Sequence, residues 1–195
     1  ETIVVSGATG AGKTTTLGAL AREIPHQQRI VTIEDSAELD LDHPHAVRLE
    51  ARPPGAGGEG GVTIGDLVRN ALRMRPDRLI VGEVRGPEVL DMLEAMSTGH
   101  AGSLSTVHAG SPEQAVERLA ALAQRAAPGT PHEALEARLA GAIDFVVQQE
   151  RLADGRRIVS SLARVEADSR SRITEVWRRD SRPASGRRGA GARPG

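Results

Sequence analysis

Short, continuous apolar runs recur along the chain, and most of them are followed by sequence with helical periodicity. Four such runs cover residues 3–5, 29–33, 78–81 and 103–107. An apolar run without alternation is typical of a strand that is buried on both faces, as in a parallel sheet. The alternation of these runs with helical segments therefore predicts an α/β fold with a mainly parallel sheet flanked by helices.

Helical segments between the runs are predicted by apolar spacing and by signals at their ends. Two clear starts are Thr63, with Asp66 three residues later, and Ser111, which is followed by Pro112. Thr130, before Pro131, is predicted to cap a further helix in the same way. The predicted helices cover residues 14–22, 63–75, 87–98 and 111–125, and the stretch after 130.

The last third of the chain changes character. Residues 142–148, 157–165 and 172–177 are separated by polar turns, and they predict an antiparallel C-terminal extension of the sheet. An edge strand is also predicted at residues 46–50, within a stretch rich in proline and glycine. From residue 178 the composition predicts disorder. We therefore expect one domain over 1–177 and a disordered Arg/Gly-rich tail over 178–195.

The first apolar run leads into a glycine-rich turn that ends in Lys-Thr. Gly7, Gly12, Lys13 and Thr14 match the pattern G-x-x-x-x-G-K-[ST], with a predicted strand before it and a helix after it. Glycines allow the backbone N–H groups to face phosphate oxygens, and the helix N-terminus adds partial positive charge. Lys13 can reach the β- and γ-phosphates, and the Thr14 hydroxyl can bind Mg²⁺. The pattern predicts binding of ATP with Mg²⁺.

Lys13 is the only lysine among 25 basic residues, so arginine occupies every other cationic position. A compact ammonium fits between two phosphates where a planar guanidinium does not. This usage supports a phosphate site and disfavours a chance match in an ordinary turn.

Ionisable side chains lie at the ends of the other three apolar runs. Glu34 and Asp35 end the second run, Glu83 follows the third, and His108 follows the fourth. In open parallel sheets, ligands lie just beyond the carboxyl ends of the strands. A carboxylate there can hold Mg²⁺ or polarise an attacking water, so these groups are candidates for chemistry beside the phosphate loop.

Composition narrows the class of protein. The 195 residues include no cysteine, which excludes disulfides and thiolate metal sites. No apolar run is long enough to span a bilayer, and no signal segment opens the chain, so we expect a soluble, cytoplasmic protein. The net charge of −1 hides a basic end, because residues 178–195 hold six arginines and one aspartate. The acidic remainder disfavours direct nucleic-acid binding.

The motifs together resemble those of the type II and type IV secretion ATPases, and most closely the Tad/CpaF-type ATPase of Flp pilus assembly. The phosphate loop is GATGAGKT at 7–14, and the aspartate box is VTIEDSAEL at 31–39. The Walker B box is LIVGEVRG at 79–86, and the histidine box is GSLSTVHA at 102–109. The stretch VTIGDLVRNALRMR at 62–75 is the part that points to the Tad/CpaF branch.

The resemblance implies a RecA-like P-loop NTPase that works as a homo-hexamer, with ATP hydrolysis driving pilus assembly or secretion. It further implies a location peripheral to the inner membrane, against a platform protein. Its implied catalytic residues are Glu34, Glu83 and His108, and its implied metal residues are Thr14, Glu34 and Glu83. The implied nucleotide-binding residues are Gly7, Ala8, Thr9, Gly10, Ala11, Gly12, Lys13, Thr14, Thr15 and Arg85.

Members of that family carry an N-terminal domain before the phosphate loop, which supplies arginines to the site and part of the subunit interface. Since the chain begins two residues before its first predicted strand, we expect an excised or truncated domain that is mostly monomeric and a poor ATPase. Arg48, Arg52 and Arg85 are then the local candidates for an arginine finger.

Three other functions remain open at this point. A DNA-directed motor of the conjugation type shares the fold, but it needs basic DNA-facing loops. A small-molecule kinase needs an arginine-rich lid. The long loop at residues 41–61 has only two arginines, Arg48 and Arg52. A nucleotide-binding fragment without turnover is the third alternative.

Overall fold

The computed structural model describes residues 1–100, 102–167 and 173–179. In these residues an eight-stranded sheet has the order β3-β2-β4-β5-β1-β6-β7-β8. The strands are β1 Ile3–Gly7, β2 Ile30–Glu34, β3 Ala46–Glu50, β4 Arg78–Val81, β5 Leu104–Val107, β6 Phe145–Arg151, β7 Arg157–Val165 and β8 Ile173–Arg178. The helices are α1 Lys13–Arg22, α2 Ile64–Ala71, α3 Glu88–Ser97, α4 Pro112–Ala126 and α5 His132–Ala142, with a 3₁₀ turn at Leu72–Met74.

The sheet is parallel from β3 through β6, and β7 and β8 are antiparallel. This confirms the predicted α/β class with an antiparallel C-terminal extension. One expectation was wrong in detail: β6 pairs in parallel with β1, with Ile3 opposite Phe145, so it completes the parallel part. The predicted strand start at Ala142 was also wrong, because Ala142 is the last residue of α5.

The two faces of the sheet are covered by different helices. Val4 of β1 packs into the larger core with α2 to α5, whereas Val5 packs into a smaller core with Leu17 of α1. Adjacent residues of a strand point to opposite faces, so a strand covered on both sides must be apolar throughout. This explains why the central runs lack alternation.

The predicted N-cap residues are correct at two helices and wrong at one. Thr63 and Asp66 form a capping box, and the Ser111 side chain accepts a hydrogen bond from the Gln114 amide. Thr130 does not cap α5, since Pro131 occupies the N-cap position and no side-chain cap bond is present there.

None of the helices in the described residues is long and apolar enough to cross a membrane. The predicted tail lies outside the described residues, except for Arg178, which ends β8, and Arg179.

Candidate functional site

The phosphate loop connects β1 to α1 at the carboxyl edge of the sheet. Gly10 and Gly12 have φ values of 73° and 99°, in the left-handed region that glycine adopts without strain. A Cβ on Gly7 would lie 2.5 Å from the Gln149 carbonyl oxygen, so β1 and β6 leave no room for a side chain there. No side chain caps the start of α1, which leaves its first N–H groups for an anion.

Lys13 is the first residue of α1 and is only 8% exposed. Its ammonium donates to the Ala8 carbonyl oxygen at 3.2 Å, and Nζ lies 3.3 Å from His108 Nδ1. Burial lowers the pKa of Lys13, and the charge of Glu83 offsets part of that effect. The positive charge of the Lys13 ammonium is therefore only partly balanced by Glu83. A bound phosphate anion would supply the remaining negative charge.

His108 lies between Lys13 and Glu83. Its Nε2 is 2.9 Å from Glu83 Oε1. Since an ammonium can only donate, we assign Nδ1 as the acceptor from Lys13 and Nε2–H as the donor to Glu83. Burial and then the Lys13 charge lower the pKa of His108, while Glu83 acts in the opposite direction. The imidazole is therefore held in its neutral form with one defined tautomer.

Glu34 ends β2 and is buried, at 5% exposure. Its Oε1 accepts hydrogen bonds from the amides of Glu38 and Leu39, at 3.1 and 3.0 Å. A Cβ on Gly82 would lie 3.0 Å from Glu34 Cγ, so this glycine gives room for the acid. Glu34 therefore fixes the segment after β2 as well as facing the site.

Arg85 lies at the rim of the site. Its guanidinium pairs with Asp35, and its backbone N–H donates to Glu88 Oε1 at 2.7 Å. Arg48 and Arg52 donate instead to the carbonyl oxygens of Leu41 and Gly60, both at 2.8 Å. Of the three candidates for an arginine finger, only Arg85 lines the cavity beside Lys13 and Glu83.

These groups surround a cavity of about 240 Å³ at the carboxyl ends of β1, β2, β4 and β5. Its lining residues are Lys13, Thr14, Glu34, Asp35, Ser36, Glu38, Gly82, Glu83, Arg85, Thr106 and His108. The structure thus brings together Lys13, Thr14, Arg85 and all three predicted catalytic side chains. Thr15 lies outside it and lines a neighbouring depression with Arg22 and Asp40.

The candidate metal residues provide oxygen atoms, but they do not form a complete cage. Within the described ranges, no group of three or more His, Cys, Asp or Glu side chains could hold a metal ion. Thr14 Oγ1 lies 3.4 Å from Glu38 Oε2 and contributes a hydroxyl at the cavity. Such a donor set fits Mg²⁺ that is bound mostly by phosphates and water rather than by protein.

Two contacts were missed in the sequence, one to the first turn of α1 and one to the phosphate loop. Gln149 of β6 accepts a hydrogen bond from Thr16 Oγ1 at 2.8 Å, and Arg157 Nε of β7 donates to the Gly10 carbonyl oxygen at 2.9 Å. Both contacts cross more than 130 positions of the sequence. No local pattern marks either residue, because strand pairing alone brings them to the loop.

A family model described as type II/IV secretion system protein matches residues 1–189. The chain belongs to this type II/IV secretion family. Among its relatives, a Mycobacterium tuberculosis protein named for conjugal transfer is 46% identical over 178 residues. That match covers 91% of this chain and 50% of the relative, so the chain spans about half the length of the curated relatives it matches.

Similar solved structures share the fold. The VirB11 ATPase of the Brucella suis type IV secretion system, solved in complex with sulphate, is 40% identical with a TM-score of 0.75. The match covers 83% of this chain and 47% of that one. The pilus retraction motor PilT with bound ADP is 26% identical with a TM-score of 0.63, over 92% of this chain and 48% of that one. These relatives support the secretion family as a whole rather than the Tad/CpaF branch.

Proposed function

We propose that this chain is the ATP-hydrolysing domain of a secretion or pilus-assembly motor. The observation that carries the proposal is the contact series from Lys13 through His108 to Glu83 at the end of the phosphate loop. It aligns a cation for phosphate, a neutral imidazole and a carboxylate along one cavity. The VirB11 relative is named as an ATPase, and PilT is described with ADP, which supports a nucleotide as the ligand.

The proposed roles follow from the chemistry of each group. The amides of residues 8–15 and the Lys13 ammonium bind the phosphates, and Glu83 orients or activates the attacking water. Glu34 is proposed to assist Glu83, while His108 reads the terminal phosphate through Lys13, whose ammonium can donate to both His108 Nδ1 and a phosphate oxygen. Arg85 is proposed to stabilise charge on the phosphates. Mg²⁺, held by Thr14 with water-mediated help from Glu34 and Glu83, would neutralise phosphate charge.

The assembly is a further part of the proposal. We infer a homo-hexamer that is peripheral to the inner membrane and acts on a platform protein, with Flp pilus assembly as the specific pathway. The stretch at 62–75 supports that branch, and it forms α2 with its capping box. PilT, described as a pilus retraction motor, supports a pilus-related function for this fold.

One observation favours a second function, a DNA-directed motor of the conjugation type, because a relative is named for conjugal transfer. The acidic body of the chain argues against a DNA-binding face. Salt-sensitive binding to duplex DNA by the chain would favour this second function.

The test of the proposed activity uses Mg-ATP binding by calorimetry and steady-state phosphate release in parallel. We expect the parent chain to bind Mg-ATP and Lys13→Ala to lose that binding. Binding that persists unchanged in Lys13→Ala would overturn the phosphate-loop assignment. Binding without any phosphate release, in a preparation that forms the oligomer, would favour the alternative of a fragment without turnover.

A further inference from the structure

Arg157 reaches the phosphate loop from the antiparallel extension of the sheet. It is the first residue of β7, two strands away from β1, and its Nε donates to the Gly10 carbonyl oxygen at 2.9 Å. Its Cδ would lie 3.1 Å from a Cβ placed on Gly12. The aliphatic part of the side chain therefore covers the residue that precedes α1.

Arg157 and the proposed catalytic residues approach the phosphate loop from opposite sides of β1. Glu83 and His108 follow β4 and β5, on one side of β1, whereas β6 and β7 lie on the other side. In the proposed nucleotide site the terminal phosphate would lie near Lys13 and His108, so the sugar and base would lie farther from these two residues. Arg157 is on the side of the loop that faces away from the hydrolysis site.

Arg157 uses only part of its binding capacity. A guanidinium has five N–H donors, and within the described residues only Nε has a hydrogen-bond partner. No described acid forms an ion pair with it, whereas the neighbouring Arg156 pairs with Asp154 at 2.7 Å. The planar face and the two Nη groups of Arg157 are thus available beside a loop built for an anion.

Apart from histidine, the described part of the chain offers no aromatic ring to a base near this loop. The sequence has one Phe, one Trp and no Tyr. Phe145 begins β6, opposite Ile3 at the far end of β1, and it is covered by Arg164 at 5.0 Å. Trp177 is on β8 at the edge of the sheet. A guanidinium plane can stack on a base in place of an aromatic ring.

We propose that Arg157 contacts the nucleoside half of the bound nucleotide, with its guanidinium plane against the base and its Nε anchored on Gly10. This inference rests on the proposed nucleotide site and extends it to a residue of the C-terminal strands. It assigns to β7 a binding role that a purely structural extension of the sheet would not have.

The experiment compares two ligands by calorimetry, Mg-ATP and magnesium tripolyphosphate, which has the phosphates without a nucleoside. For Arg157→Ala we expect affinity for Mg-ATP to fall about tenfold, and affinity for tripolyphosphate to fall less than about threefold. Arg157→Lys keeps the charge but loses the plane, so we expect it to resemble Arg157→Ala. Arg156→Ala is the matched control and should change neither affinity by more than about twofold.

The outcomes separate the two levels of the proposal. Unchanged Mg-ATP affinity in Arg157→Ala, or equal losses for both ligands, would overturn the nucleoside contact; equal losses would mean that Arg157 only braces the loop. Failure of the parent chain to bind either ligand would overturn the nucleotide site itself, and this inference with it. Far-UV circular dichroism of each variant checks that the fold is retained.

Discussion

Lys13 Nζ lies 3.3 Å from His108 Nδ1, although the two residues are 95 positions apart in the sequence. The contact exists only while the imidazole is neutral, because a protonated ring would place two cations against each other. Burial and the Lys13 charge accordingly lower the pKa of His108 below its usual value of 6.5. The unfolded chain therefore takes up this proton at higher pH than the folded chain does.

The first prediction concerns the effect of pH on stability. Above the usual histidine pKa neither state carries the proton, so His108 contributes no pH dependence there. As pH falls through 6.5 the unfolded chain is protonated first, and the free energy of unfolding decreases until the lower folded pKa is reached. Urea unfolding of the parent and of His108→Gln between pH 8 and pH 5 is the measurement. We expect a shallower decrease in His108→Gln, and identical pH profiles would contradict the lowered pKa of His108.

The second prediction concerns nucleotide binding. Lys13→Ala removes a buried ammonium and two of its contacts, so we expect Mg-ATP affinity to fall by about 100-fold or more. It should also raise the pKa of His108, because the cation that lowers it is gone. Calorimetry measures the first effect and NMR titration of the His108 ring measures the second. A histidine pKa that does not move would show that the Lys13 charge does not contribute to it.

The third prediction concerns Glu83. In Glu83→Gln the amide oxygen can still accept from His108 Nε2–H, so we expect folding and ATP binding to be preserved. Hydrolysis should fall by about 10² or more, the loss expected for a group that positions the attacking water. Single-turnover phosphate release in a preparation that forms the oligomer is the assay. An unchanged rate would reduce Glu83 to a structural acid.

The fourth prediction separates the two roles of Glu34. A glutamine at this position can still accept from the amides of Glu38 and Leu39, so Glu34→Gln should keep the stability of the parent and lose about 10² in hydrolysis. Glu34→Ala should lose stability as well, by about 1–3 kcal/mol, because the buried Leu39 amide and the part-buried Glu38 amide lose their acceptor. Urea unfolding beside the hydrolysis assay distinguishes the variants. Equal stability of both variants would mean that water replaces the acceptor.

The fifth prediction compares α2, one of the helices whose N-cap was predicted correctly, with α5, whose N-cap was not. Thr63→Ala removes the cap of α2 and should cost about 1 kcal/mol. Thr130→Ala is the control, since Thr130 caps nothing in the structure, and it should change stability by less than about 0.5 kcal/mol. Chemical denaturation of both variants is sufficient. A larger cost at Thr130 would indicate a cap that the structure does not show.

The sequence predicted those features that local chemistry determines. β4 was predicted with its observed bounds because an apolar run, a preceding proline and a following glycine all act within a few residues. The capping box at Thr63 was predictable for the same reason. At Thr130 the same signal failed, because Pro131 can serve either as the first helical residue or as the residue before it.

Features that depend on long-range pairing could not be predicted in this way. The parallel pairing of β6 with β1 follows from α5 returning the chain across the sheet, which no local pattern specifies. Gln149 and Arg157 reach the phosphate loop only through that pairing and the β6–β7 register. Glu34, Glu83 and His108 could be predicted to lie together, because each follows a strand of a parallel sheet and parallel strands end at the same edge.

The burial of Lys13 has a practical consequence for chemical labelling. Apart from the α-amino group, Lys13 holds the only primary amine of the chain. Its lowered pKa increases the fraction present as the reactive free base, while its burial in the cavity lining means that only small reagents can reach it. An amine-specific acylating reagent therefore modifies a single internal position, and the mass shift it leaves reports directly on whether that cavity is occupied.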